Sequence, residues 1–123
     1  MLMIAQAQAV DLKAKLFRGF SDPSRLSILE ALRARPLTVT EIVEATGLSQ
    51  PNASTHLSCL RDCGLVEGRV QGRSVYYSLS RPELMDVLAQ AEILLAATGN
   101  AVSLCPNYGA GSTGVPLMKE YER

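Results

Sequence analysis

Between Thr38 and Gly64 the chain starts and stops a helix twice with almost nothing in between, and this narrows what it can fold into. Thr38 or Thr40 opens a short helical run through Glu41, Ile42, Val43 and Ala45, which Gly47 closes. Leu48 connects it to a second start. There Ser49 offers a side-chain oxygen to an orphan N–H of the first turn, and Pro51 is tolerated because its missing N–H needs no intrahelical partner. Pro51 also pushes the residue before it toward an extended conformation, so Gln50 is the alternative cap. Gly64, following Cys63, is the expected left-handed stop. A short helix, a tight glycine turn and a second helix with a polar tip make a helix-turn-helix.

At about 100° per residue, Ala53, Leu57, Leu60 and Gly64 fall on one stripe of the second helix, the expected buried face. Asn52, Thr55, His56, Cys59 and Cys63 fall on another. Near the N-terminal end Gln50, Asn52, Ser54, Thr55 and His56 carry amide, hydroxyl and imidazole groups suited to base edges and phosphates. Further along that second face stand two thiols at i and i+4, one above the other and close enough to share a soft metal ion.

Apolar residues Val10, Leu12, Leu16, Phe17 and Phe20 recur with a helical rhythm, which predicts a first helix from Ala5 to Phe20. Ser21 or Asp22 caps a second, with Pro23 in its first turn and Leu26, Ile28, Leu29 and Leu32 on its inner face, ending before Pro36. After Gly64 the period changes to the β-branched and aromatic runs Leu65–Val70 and Ser74–Leu79, joined around Gln71-Gly72 as a two-stranded hairpin. Arg69 and Arg73 flank its turn, as expected of a wing lying along a DNA backbone or in a minor groove. From Pro82 to about Thr98 a last helix carries Leu84, Val87, Leu88, Ala91, Leu94 and Leu95, with Met85 and Ile93 widening the stripe. That is more apolar width than one side of a small domain needs, so the first and last helices are expected to form a homodimer interface. Gly and Pro residues from Gly99 on predict a flexible tail over 99–123, leaving 1–98 as the folded DNA-binding and dimerisation domain.

The 123 residues suffice for one such domain with a modest core. A net charge of zero is no mark of a strongly basic nucleic-acid binder, but Arg61, Arg69, Arg73 and Arg81 gather where a DNA contact is expected. The N-terminus has no signal-peptide pattern and no apolar stretch is long enough to span a bilayer, so a cytoplasmic protein without membrane contact is expected. Nothing points to an enzyme or to a small-molecule substrate: one histidine leaves no metalloprotease or triad pattern, and the glycines fit no phosphate loop.

Three cysteines in a reducing compartment leave metal binding, reactive thiol chemistry or burial. Cys59 and Cys63 lie off the packing stripe, and Cys105 stands in a Gly/Pro-rich segment with no packing reason to be buried. Three converging thiolates make a site for a thiophilic ion, and His56, one turn before Cys59, is a possible fourth ligand for a zinc tetrahedron. Two alternatives remain open: a repressor that senses redox state through Cys59 and Cys63, and a soluble metal-sequestering protein.

Three segments carry a resemblance. They are Ser21-Asp22-Pro23-Ser24-Arg25-Leu26-Ser27-Ile28-Leu29, the run from His56-Leu57-Ser58-Cys59 through Cys63-Gly64-Leu65-Val66, and Gly72-Arg73-Ser74-Val75-Tyr76-Tyr77-Ser78-Leu79. Together they resemble the ArsR/SmtB winged-helix metal-responsive repressors over roughly residues 10 to 98. The resemblance implies a mainly α fold with a β-hairpin wing, working as a homodimer on double-stranded operator DNA. The helix from Thr40 to Gly47 lacks the cysteines of the arsenic- and lead/cadmium-type sites, and the last helix lacks the zinc-type ligands. Cys59, Cys63 and Cys105 are similar to the ligand set of mycobacterial-type cadmium/lead sensors, which implies Cd(II) or Pb(II) as inducer, with As(III) or Hg(II) also possible. In that branch the metal-free protein binds the operator and the metal releases it.

Overall fold

The computed structural model describes residues 2–106. They form α1 (Leu2–Phe20), α2 (Pro23–Ala31), α3 (Val39–Thr46), α4 (Gln50–Asp62), β1 (Val66–Gln71), β2 (Ser74–Leu79) and α5 (Glu83–Leu104). The chain divides after Leu84 into two compact units.

In the first unit, α2, α3 and α4 pack around one apolar cluster. Ile28, Leu29, Ile42, Ala53, Leu57 and Leu60 are almost wholly excluded from solvent, and Leu32, Leu37, Leu65 and Val66 extend the cluster toward the hairpin. Each fully buried Leu or Ile contributes roughly 1.5–3 kcal/mol against conformational entropy. Gly64, expected on the buried stripe of α4, is instead exposed. Its left-handed backbone (φ 80°) turns the chain off the helix. The Leu65 N–H donates to the Leu60 carbonyl at 2.9 Å and the Gly64 N–H to the Arg61 carbonyl at 3.0 Å. These are the paired bonds of a Schellman stop, and Leu65 takes the buried place beside Leu60.

Each helix start is built as the sequence requires. Thr38, not Thr40, caps α3: its Oγ1 accepts from the Glu41 N–H while the Glu41 carboxylate accepts from the Thr38 N–H, a reciprocal capping box. Ser49, not Gln50, caps α4, accepting from the Asn52 N–H at 3.3 Å. Asp22 caps α2, accepting from the Arg25 N–H at 2.9 Å. The Arg25 side chain then reaches back, donating to the carbonyls of Gly19 (3.2 Å) and Arg18 (2.9 Å) at the C-terminus of α1. A cation there satisfies orphan carbonyls and meets the negative end of the helix dipole. Asp22 and Arg25 therefore clasp α1 to α2.

The hairpin is antiparallel with Val66 opposite Leu79 and Gln71 opposite Ser74. Gly72, at φ 62°, makes the turn. One contact was not foreseen from the sequence. Leu37 pairs with Tyr77, each N–H donating to the other's carbonyl at 2.9 and 2.7 Å, so the residue just before α3 joins the sheet.

Two helix ends differ from expectation. α1 begins at Leu2 rather than Ala5, and α5 runs on to Leu104 rather than stopping near Thr98. Gly99 looked like a stop but is buried, continuing the small and apolar series Leu84, Leu88, Leu95 and Val102 at helical spacing. Cys105 thus follows directly on a helix end, its N–H donating to the Val102 carbonyl at 3.3 Å. Residues 107–123, the greater part of the expected tail, lie outside the described residues.

Both long helices leave large apolar side chains in solvent: Val10, Leu12, Leu16 and Phe17 on α1, and Ile93, Leu94, Val102 and Leu104 on α5. Leu88, by contrast, is 2 % exposed. Among the described residues no helix is long and apolar enough to cross a membrane.

Candidate nucleic-acid interface and thiol pair

The residues predicted to read DNA stand at the N-terminal end of α4 and on the hairpin. Gln50, Asn52, Ser54 and Thr55 are exposed, and His56 is half-buried beside them. The side chains of Gln50, Asn52, Ser54 and His56 have no hydrogen-bond partner among the described residues, which leaves them free for an outside ligand. Thr55 differs: its hydroxyl donates to the Pro51 carbonyl at 2.9 Å. With its proton engaged, that hydroxyl can only accept, and the side chain offers its methyl group as well. Arg69 and Arg73 are exposed on the hairpin and make no ion pair among the described residues.

Counting about 1.5 Å of rise per residue, Cys59 lies about 13 Å and Cys63 about 20 Å along the axis from Gln50. One helix therefore carries the side chains predicted to read DNA at its tip and the thiols at its base. Both cysteines are free and exposed. The Cys63 thiol is pushed above its ordinary range, first by partial desolvation and then by the neighbouring Cys59 sulfur, through charge and a hydrogen bond, while the Arg25 guanidinium pulls the other way. The two thiols are therefore close neighbours on the helix surface. A divalent cation held between them would reverse this balance, since each ligating thiol would release its proton to solvent. Cys63 also lines a groove of about 270 Å³ with Leu12, Lys15, Leu16 and Gly19 of α1 and Leu65. Cys63 thus sits beside α1, the helix that leaves Leu12, Leu16 and Phe17 exposed.

Cys105 is partly exposed. Among the described residues no three side chains of the metal-binding types converge. The fold thus brings Cys59 and Cys63 together and assembles no third ligand around them within the described chain. Two features of this region escaped the sequence reading: the Arg25 clasp, and a groove beside Arg69 that Arg35 also lines. An arginine three residues after the Asp22 cap was the only signal for the first, and the second had none.

A helix-turn-helix followed by a hairpin is matched by known proteins. The family model described as "Bacterial regulatory protein, arsR family" matches residues 22–68. A probable mercury resistance operon repressor of Streptomyces lividans is 40% identical over 95 residues, 77% of this chain and 76% of the relative. The chain belongs to the ArsR family. Among solved structures similar to this ArsR protein is the cadmium metal-sensor CMTR of Mycobacterium tuberculosis, 40% identical with a TM-score of 0.56, covering 63% of this chain and 80% of that one. A homodimeric winged helix-turn-helix DNA-binding domain of Mycobacterium bovis, a possible ArsR-family regulator, is 29% identical with a TM-score of 0.67, covering 76% and 86%. The fold is a winged helix-turn-helix, α4 its reading helix and β1–β2 its wing, and the class is transcription regulation rather than catalysis.

Proposed function

We propose that this ArsR protein is a cytoplasmic, homodimeric repressor that holds operator DNA when metal-free and lets go when Cd(II) or Pb(II) binds Cys59, Cys63 and Cys105. The observation that carries the reading is the thiol pair, free and exposed at the base of the same helix whose tip carries the groups expected to read DNA. Likeness to a cadmium sensor and to a mercury operon repressor supports a thiophilic inducer. Hg(II) and As(III) are the alternative inducers, the first favoured by the likeness to a mercury operon repressor.

Cys105 supplies the third thiolate from the end of α5, of the same protomer or of the partner. Chelation then ties the reading helix to the helix that carries the dimer interface and fixes an orientation unlike the one that suits two successive major grooves. Linkage makes the effect reciprocal: DNA weakens metal binding by the factor by which metal weakens DNA binding, typically about 1–3 kcal/mol of coupling. A redox switch through Cys59 and Cys63 is the rival reading, and it needs an oxidant where this one needs only metal.

The test is operator fluorescence anisotropy under reductant, with and without Cd(II), for Cys→Ser variants. Cys59→Ser and Cys63→Ser are expected to bind DNA like wild type and to ignore Cd(II). Cys105→Ser is expected to keep a weaker sulfur-to-metal charge-transfer band with little release. If Cys105→Ser releases as readily as wild type, the third ligand is not Cys105. If release needs an oxidant rather than metal, the redox reading replaces this one.

A further inference from the structure

Arg69 and Tyr76 are register partners on the face of the wing that also carries Gln71 and Ser78, opposite the face of Val66 and Tyr77 that turns to the core. That outer face forms one wall of a groove of about 310 Å³, and Arg35 and Pro36, from the segment entering α3, form the other. Two guanidinium groups, a phenol, a hydroxyl and an amide thus converge on one opening. Apart from the acceptor oxygens of Tyr76, Ser78 and Gln71, these are donors, the chemistry of an oxyanion site.

Arg35 is not loose. Its Nη1 donates to the Pro36 carbonyl at 3.1 Å and its Nη2 to Glu41 Oε2 at 3.2 Å. Glu41 is itself fixed by the capping box of α3. Two of the five guanidinium N–H groups are used, and three remain for a ligand. The Glu41 charge is shared with Thr38 and offsets one arginine, so the groove keeps about one net positive charge, supplied by Arg69. Glu67 lies on the same strand face but does not line the groove.

We propose that this groove holds a phosphate of the DNA backbone, gripped jointly by Arg35 and Arg69, as a contact additional to Arg73 at the wing tip. The inference rests on the DNA-binding reading above and adds Arg35, which belongs to neither the reading helix nor the wing. Arg69 stands three residues before Gly72, about 10 Å along the strand from the turn. A backbone phosphate bordering the minor groove is the group within that reach when Arg73 enters the groove. Glu41 then acts as a positioning residue: it aims Arg35 and couples the grip to the start of the helix-turn-helix.

The experiment uses the full-length dimer and a duplex recovered from a random-sequence pool by binding to the wild-type protein. Binding is measured by anisotropy across a salt series. In a dimer each substitution removes two phosphate contacts, so Arg35→Gln is expected to flatten the slope of log affinity against log salt by about 1.8. Between 50 and 200 mM salt that amounts to about 12-fold less loss of affinity than wild type shows. Arg35→Lys is expected to keep most of the slope. In the double variant with Arg69→Gln the two effects are expected to be non-additive, because both side chains hold one phosphate.

Thr38→Ala is the structural control, since it removes the hydroxyl that caps α3 but leaves the Glu41 carboxylate on Arg35 and both guanidinium groups in place. If it flattens the slope as much as Arg35→Gln does, the effect comes from the helix start and the proposal is overturned. If Arg73→Ala flattens the slope and Arg35→Gln does not, the groove takes no DNA phosphate while the repressor reading stands. A saturable shift of the Arg35 and Arg69 Nε–H signals with inorganic phosphate, without any change of slope in Arg35→Gln, assigns the groove to a free anion and overturns the DNA contact. Failure to recover any duplex overturns both readings.

Discussion

Replacing Leu94 by glutamate is expected to split the dimer without unfolding the protomer. Leu94 lies on α5 and is 64 % exposed in the single chain, so most of its surface is still available for burial by a partner. Full burial of a leucine is worth roughly 1.5–3 kcal/mol, and the remaining share is therefore about 1–2 kcal/mol. A two-fold interface counts every residue twice, giving about 2–4 kcal/mol per dimer. At 1.4 kcal/mol per decade the dimerisation constant weakens about 30- to 700-fold, and the cost of burying a carboxylate adds to this. The protomer itself loses little, since glutamate is nearly as good a helix former as leucine and surface substitutions usually stay within about 0.5 kcal/mol. Sedimentation equilibrium over a range of concentrations reads the association, and far-ultraviolet circular dichroism reads the fold. A Leu94→Glu protein that dimerises like wild type refutes the use of α5 as the interface. Leu88 is the wrong probe despite its place on the same helix: it is already buried in the single chain, so a charge there unfolds the protein and reports nothing about association.

Arg73→Ala is expected to weaken binding to all duplexes alike and to flatten the salt slope by about one unit per protomer, measured by anisotropy against specific and random DNA. Leu60→Ala, at a side chain 1 % exposed under the Schellman stop, is expected to cost about 2–5 kcal/mol, read as a lower urea midpoint with an unchanged slope. The Glu41 carboxyl is held below its ordinary range first by the Thr38 N–H and next by Arg35. A carboxylate whose folded value is depressed contributes stability that is present above its unfolded value and lost as pH falls through the folded one. Glu41→Gln should therefore flatten the acid limb of the stability profile, and unfolding midpoints measured between neutral pH and the acid limb test it.

The helix-turn-helix was legible because its signals are local. Ser49 with Pro51, Thr38 with Glu41, and the two glycines at Gly47 and Gly64 fix starts and stops within a few residues of themselves, and the structure uses each of them. Cys59 and Cys63 were likewise legible as neighbours, because i and i+4 on a helix leave no other outcome. The end of α5 was misread because Gly99 carries two meanings, a stop or a small buried residue, and only burial separates them. The Leu37–Tyr77 pair and the Arg35–Arg69 groove join residues far apart in sequence, for which no local pattern exists. The third thiolate, proposed to be Cys105, has no local pattern either, because its distance in sequence from Cys59 and Cys63 fixes no contact.

The Leu37–Tyr77 pair also sets the order in which the molecule comes together. It closes a loop of about 40 residues that contains α3, α4 and β1, and in chain-entropy terms that closure costs about 3 kcal/mol. Two hydrogen bonds return about 2 kcal/mol, and burial of the Leu37 side chain roughly another 1.5–3 kcal/mol, so the closure is only modestly favourable even in full. It forms only after the helices within the loop have packed and shortened the distance to be spanned. On this balance the wing is expected to be the last part of the DNA-binding unit to dock and the first to come away. Native-state amide exchange is expected to show Leu37 and Tyr77 opening at a lower free energy than Leu57 and Leu60.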